Sequence, residues 1–330
     1  MNRKRNLLVL FLAIMMIAAG CSSGVSDSAT GNAADVADNG SSQPITIKHM
    51  KGETKLDKPA TRVVVLEWAF AENLIALGMQ PIGNADNKNY KIWVAPEAAL
   101  DDSVTDVGLR HEPNLETIAS LKPDLIISNT DHNDAIYDQL NAIAPTIEFE
   151  PYPNEGDQYT GMVHIFKTIA AAVGKTDKAE QVLDELEQHY AEAKEKLSKA
   201  GKGGSNYVIT QAFTVQNAAA LRLFTDTSTV VQTLDRIGLK NDWKSEKFEK
   251  YGFTDATVEA LPAVSNTNFI YIVEKTDNVF ENQLKDNTVW NELNFVKEKR
   301  TYMLDANTWT FGGPISSKVL VDRVVKVLTQ

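Results

Sequence analysis

The chain has 330 residues, of which 43% are hydrophobic and 23% charged, ordinary values for a folded globular protein. Its 44 acidic residues outweigh 33 basic ones, for a net charge of −11. That balance excludes capture of nucleic acid or anionic lipid by an overall positive field, so any anionic ligand must be met by a few local arginines.

In chain order, the first feature is an export signal. Arg3, Lys4 and Arg5 form a basic start, Leu7 to Ile17 is an apolar run, and Ala18, Ala19 and Gly20 lead into Cys21, the only cysteine. The run is too short to span a bilayer of about 30 Å as a stable helix. A cysteine directly after small residues resembles a lipoprotein signal, in which the thiol is acylated and becomes the new N-terminus, although Ala18 replaces the favoured leucine. The alternative is an ordinary secretory leader, but an unpaired thiol is unexpected in an exported protein. Residues 22–44 are almost entirely Ser, Gly, Asn, Asp and Ala, the composition of a flexible tether. The remainder is long enough for two domains or one large α/β domain.

Structure is expected from Ile45. Arg62–Leu66 is a β-branched run of the kind buried in a parallel sheet, followed by a helix from Phe70 to Leu77 that Gly78 stops. Leu115–Leu121 predicts a helix ended by Lys122-Pro123, Asp124–Ser128 a buried strand, and Asp134–Ile143 another helix. Met162, Ile165, Phe166, Ile169 and Val173 recur at helix spacing. Val182, Leu183, Leu186, Tyr190, Ala193 and Leu197 mark a second long helix capped by Thr176 or Asp177. Beyond the turn at Gly201–Ser205, strands are expected at Tyr207–Gln211 and Arg222–Thr225, a helix at Val230–Ile237, a short helix at Val258–Val264 and a buried strand at Phe269–Val273. "LIALGM" at 74–79 parallels "LDRIGL" at 234–239, and "LETIASLKPDLII" at 115–127 parallels "VEALPAVSNTNFIYI" at 258–272. Two similarly built α/β lobes follow from that repetition, with a ligand site expected at their junction.

Catalytic signatures are absent. The glycine cluster at 201–204 lacks the Lys-Ser/Thr ending of a phosphate loop, and no Gly-x-Ser-x-Gly or His-Glu-x-x-His motif occurs. His49, His111, His132, His164 and His189 are scattered, so no metal-ligand set emerges. His132, between Asp131 and Asp134, is either a hydrogen-bonding loop residue or a ligand contact. The chain is therefore not expected to be an enzyme; an extracellular hydrolase is the disfavoured alternative, because no nucleophile–base pair can be named.

The segments RVVVLEW (62–68), NLIALGMQPIGNAD (73–86), NYKIWV (89–94), VGLRHEPNLETIASLKPDLIIS (107–128) and TWTFGGP (308–314) together resemble the ferric-siderophore substrate-binding proteins of ABC importers. The first, third and fourth are most similar to ferric hydroxamate-binding members. Asp131-His132, Ile143-Ala144-Pro145 and Asn307-Thr308-Trp309 are closer to ferric citrate-binding members. The resemblance implies a class III substrate-binding fold: two Rossmann-like α/β lobes, here 45–156 and 175–330, joined by one rigid helix at 157–174, with the ligand in the cleft. A corrinoid or heme receptor shares that architecture and is the alternative within the class.

The expected ligand is an Fe(III)–siderophore complex of hydroxamate, citrate or mixed type. Its iron arrives already chelated, so the resemblance implies no cofactor and no protein metal ligands. By resemblance Arg110 is the oxygen-binding cation, for which a guanidinium's planar fork is suited. Trp68 should point into the cleft, Trp93 belongs to the NYKIWV loop, and Trp309 lies in the TWTFGGP loop; each offers a rigid apolar wall. Tyr251 stands where hydroxamate-binding relatives place a tryptophan. Arg222 is either a second cation or structural, and His132 is the remaining candidate contact. Two departures leave the ligand subclass open: no tyrosine stands near 131–132, and no arginine follows Trp309. Glu116 and Glu259 hold matching places early in the helix before each buried strand, where relatives carry the carboxylates that meet permease arginines. The partners implied are a ferric siderophore, an ABC permease and, through lipidated Cys21, the membrane. The protein is then a monomer anchored to the extracellular face of a cell membrane, without an outer compartment, as in Gram-positive cells.

Overall fold

A computed structural model describes residues 44–152 and 155–330. Cys21, the leader and nearly all of the 22–44 tether lie outside the described residues. Among the described residues no helix is long and apolar enough to cross a membrane.

The first sheet is wholly parallel. Its five strands stand in the order Thr105–Asp106, Gly83–Asn84, Val63–Val65, Leu125–Asn129, Thr146–Phe149. The central strands, VVV and LIISN, are buried on both faces because helices cover each side, as continuous β-branched runs require. The second sheet is mixed. Its main order is Phe253–Ala256, Ala218–Phe224, Asn206–Val215, Asn268–Val273, Thr301–Asp305. Asn206–Val215 and Ala218–Phe224 form an antiparallel hairpin turning at Gln216-Asn217, both with positive φ (48° and 66°). That hairpin is longer than the expected strands at 207–211 and 222–225, and it projects Gln211, Phe213 and Arg222 from the sheet end.

Other expectations were changed by local geometry. The NYKIWV segment is a helix, Asn87–Trp93, rather than a loop; Asp86 caps it by accepting from Asn89 N–H. The helix expected over 134–143 is a 3-10 turn at Asp134–Ile136 followed by helix Tyr137–Ile143, with a further short helix, Thr130–Asn133, before it. Val258–Val264 is a 3-10 helix, since the Pro262 ring would clash with the carbonyl four residues back in an α-helix.

Two helices run between the cores of the lobes. Gln158–Ala172 puts Tyr159 and Met162 into the second core and Ile165, Phe166 and Ile169 into the first. Thr176–Lys199 returns, with Ala179 in the first core and Leu186, Tyr190, Ala193 and Leu197 in the second. The bridging role expected of 157–174 is thus shared with the longer helix that follows. The C-terminal helix Pro314–Thr329 packs on the second core. Its N-terminus is fixed from the other lobe. Buried Glu72, on helix Trp68–Ala76, accepts hydrogen bonds from Gly313 N–H (2.9 Å), Ser316 N–H (2.7 Å) and Ser316 Oγ (2.6 Å). A β-carbon at Gly312 would collide with the Glu72 carboxylate and Ser316, and one at Gly313 with Asn73, which accounts for the paired glycines of TWTFGGP.

Candidate ligand-binding cleft

A cleft of about 330 Å³ opens between the C-terminal ends of the two sheets, lined by Trp68, Trp93, Arg110, Gln211, Phe213, Arg222, Trp309 and Phe311. Its size suits a small ligand. Five of the expected ligand residues meet there: Trp68, Trp93, Arg110, Arg222 and Trp309.

The first-lobe wall is organised by Glu67. This residue ends the Val63–Val65 strand and caps helix Trp68–Ala76, with Oε1 accepting from Trp68 N–H at 2.8 Å. Glu67 is 4% exposed, and its Oε2 accepts from Asn129 Nδ2 at 2.9 Å. Arg110 closes onto the same carboxylate, with its guanidinium 3.0 Å from Oε1 and 4.0 Å from the Trp68 ring centroid. Arg110 sits at the tip of a tight hairpin, Gly108-Leu109 pairing Glu112-Pro113. Gly108 holds φ at +95°, where a side chain would be strained, and Asn133 Nδ2 pins the Arg110 carbonyl at 2.9 Å. Trp68 is less open than expected: its Nε1 donates to the Ala85 carbonyl (3.0 Å), so the ring forms the cleft floor beneath Arg110.

Aromatic rings carry the floor across to the second lobe. Trp68 meets Trp309 (centroids 5.1 Å apart), Trp309 meets Phe311 (5.4 Å), and Phe311 meets Phe253 (6.0 Å). Arg222 lies on that far wall. Its guanidinium carbon is 4.9 Å from the Phe213 ring and 4.7 Å from Phe253, with Gln211 Oε1 at 3.4 Å. Its Nε is buried without an acceptor, and burial lowers its pKa, which nearby Asp255 partly opposes.

Two expected contacts stand back from the lining. His132 Nε2 is 3.9 Å from Glu67 Oε2, behind the Arg110 pair. Tyr251 is 45% exposed at the rim, edge-on to Tyr152 (5.3 Å) and stacked on Phe253 (6.2 Å). Beside it Lys250 Nζ reaches across to Asp131 Oδ1 at 2.6 Å. Burial pushes the Tyr152 phenol well up, so it stays protonated near neutral pH. Glu116 and Glu259 are exposed in the first turns of their helices. The Thr257 hydroxyl donates to Glu259 and holds that carboxyl below its usual range. Glu67, Gln211, Phe213 and Phe311 were missed as site residues. Glu67 and Phe311 lay inside the LEW and TWTFGGP segments; Gln211 and Phe213 carried no signal beyond their place in a strand. Among the described residues no group of three or more His, Cys, Asp or Glu is placed to hold a metal ion.

Residues 63–308 match the periplasmic binding protein family. The chain belongs to that family. Among curated relatives of this periplasmic binding protein, the Fe(3+)-citrate-binding protein YfmC of Bacillus subtilis (strain 168) is 30% identical over 327 residues, covering 99% of this chain and 98% of the relative. The probable siderophore-binding lipoprotein YfiY of the same strain is 31% identical, covering 96% and 95%. Among solved structures, the Fe3+-Desferal-bound siderophore-binding protein FhuD of Vibrio cholerae superposes with a TM-score of 0.74 at 27% identity, covering 82% of this chain and 98% of that one. The two-lobed α/β architecture expected from the sequence is the one this family adopts.

Proposed function

We propose that this periplasmic binding protein is a monomeric, non-enzymatic receptor, tethered through lipid on Cys21 to the outer face of a Gram-positive cell membrane, that binds a ferric siderophore and delivers it to an ABC permease. The observation that carries the reading is the cleft itself: two arginines, Arg110 and Arg222, face each other across a floor of aromatic rings with no metal-ligating cluster among the described residues. Such a lining offers hydrogen-bond donors to chelator oxygens and apolar area to the chelator backbone, and leaves the iron to its own ligands. The relatives and the solved neighbour bear names of ferric citrate, siderophore and Desferal binding, which support the same class. A heme receptor is less well served, because His132 and Tyr251, the candidate axial ligands, lie outside the cleft lining.

Ferric siderophore should quench tryptophan fluorescence at submicromolar concentration, since Trp68, Trp93 and Trp309 all line the cleft. Silence toward hydroxamate, citrate and mixed ferric chelates alike would overturn the reading. The exposed Glu116 and Glu259 are assigned to permease docking. An exposed ion pair contributes only about 0.2–1 kcal/mol, so they orient the complex more than they drive it. Glu116→Ala combined with Glu259→Ala should leave chelate affinity unchanged in the purified protein and reduce iron uptake in cells. Normal uptake by the double variant would remove them from the docking surface.

A further inference from the structure

We infer that the cleft selects a ferric chelate carrying at most one net negative charge, and that Glu67 sets this limit by neutralising Arg110. The inference rests on the ferric-siderophore reading of the cleft and narrows its ligand class.

The argument is a charge inventory of the cleft and its rim. Arg110 is already compensated by Glu67, whose Oε1 lies at 3.0 Å. Glu67 has no freedom to withdraw when a ligand enters, because Trp68 N–H and Asn129 Nδ2 hold its two oxygens at 2.8 and 2.9 Å in an almost fully buried position. Lys250 at the rim is likewise compensated, by Asp131 at 2.6 Å. Arg222 is different. It makes no ion pair among the described residues; its contacts are Gln211 Oε1 at 3.4 Å and the faces of Phe213 and Phe253. Its buried Nε lacks an acceptor and is the kind of orphaned donor that a ligand oxygen would satisfy.

Among the described residues Arg222 is therefore the one cleft cation with no carboxylate in ion-pair range; Asp255, opposite it across the strands, acts on it only through its field. Arg110 contributes hydrogen-bond donors and a flat surface over Trp68, but little net field. An oxyanion reaching Arg110 also approaches the fixed Glu67 carboxylate, and like charges in a partly desolvated site repel strongly. A neutral complex meets no such repulsion. A single carboxylate is best placed on Arg222, across the cleft from Glu67. A polyanionic complex has nowhere to put its second and third charges.

The test uses the full-length protein at pH 8, where imidazoles are uncharged, and reads affinity by tryptophan quenching. Three probes are compared: ferric desferrioxamine with its terminal amine acetylated (neutral), the same complex with that amine succinylated (one negative charge), and polyanionic ferric citrate. The wild type should bind the succinylated form more tightly than the acetylated one, and ferric citrate at least tenfold more weakly than either. Glu67→Gln should narrow or reverse the gap to ferric citrate by at least tenfold. Arg222→Gln should weaken the succinylated form at least tenfold more than the acetylated form, and that difference decides the matter with the wild-type ranking if Glu67→Gln does not fold. Wild-type preference for ferric citrate, or an unchanged ranking in folded Glu67→Gln, would overturn the inference while leaving the receptor reading intact. Binding of none of the three would overturn the receptor reading and the inference with it.

Discussion

Replacement of Glu72 by alanine should lower stability by about 3 kcal/mol, a fall of roughly 5 °C in Tm. Three donors lose their acceptor at once: the Gly313 and Ser316 amides and the Ser316 hydroxyl. Glu72 is fully buried, and the N-cap of helix Pro314–Thr329, Gly313, has no side chain of its own to supply a cap. Leaving a buried donor unsatisfied costs about 1–3 kcal/mol each, offset in part by no longer burying a carboxylate. The pH dependence has a definite sign. Burial raises the Glu72 pKa in the folded protein, outweighing the hydrogen bonds that favour the ionised form. The folded state then holds a proton that the unfolded chain releases. Stability contributed by this group is full below the ordinary carboxylate pKa of the unfolded chain and declines as pH rises toward the higher folded value. Glu72→Gln should remove that decline from a Tm–pH profile; a profile identical to wild type would show that Glu72 does not titrate there.

Arg110→Ala should be costly in two measurements. Its removal strands Glu67, a carboxylate that is 4% exposed and whose other hydrogen-bond donors, Trp68 N–H and Asn129 Nδ2, are neutral. Breaking a fully buried pair costs about 3–5 kcal/mol. Arg110 keeps 27% side-chain exposure, so about 2–3 kcal/mol is expected here, read as a lower Tm. Affinity for a ferric hydroxamate should fall at least tenfold, about 1.4 kcal/mol, through lost donors and an unpaired negative charge beside the ligand. Adding Glu67→Gln should recover most of the stability and only part of the affinity. Unchanged affinity in the alanine variant would remove Arg110 from the site.

Much of the frame was legible because its signals are local. The VVV and LII runs could only be buried strands, and Gly78 and Gly238 end their helices where expected. Helix Asn87–Trp93 escaped notice because NKNYKIW shows no apolar stripe; it depends on Asp86 in a left-handed conformation (φ 58°) acting as the cap. The extra length of the 206–224 hairpin is carried by small and polar residues whose pairing is set by the neighbouring strand, not by pattern. The site divides in the same way. The tryptophans and Arg110 stood out as residue types within long motifs. Glu67 did not, since a glutamate before a helix reads as an ordinary acidic cap, and its pairing with Arg110 spans 43 residues. Similarly, nothing near Arg222 in sequence distinguishes it; what does is the absence of an ion-pair partner for it among the described residues.

The pair of helices that runs between the lobes has a kinetic and energetic consequence. At about 1.5 Å per residue, Gln158–Ala172 and Thr176–Lys199 form struts of roughly 22 and 36 Å, each buried in both cores. Hinge motion would have to bend both together and break their packing, so wide opening and closing of the gap is resisted. A binder of that kind has its competent state nearly fully populated, and its apparent affinity is not diluted by a prior closing equilibrium. Scarce ligand can then be taken up on first encounter. On the receptor reading proposed above, occupancy is expected to be read through side chains at the cleft mouth, such as the Lys250–Asp131 and Tyr152–Tyr251 contacts, rather than through a clamshell motion.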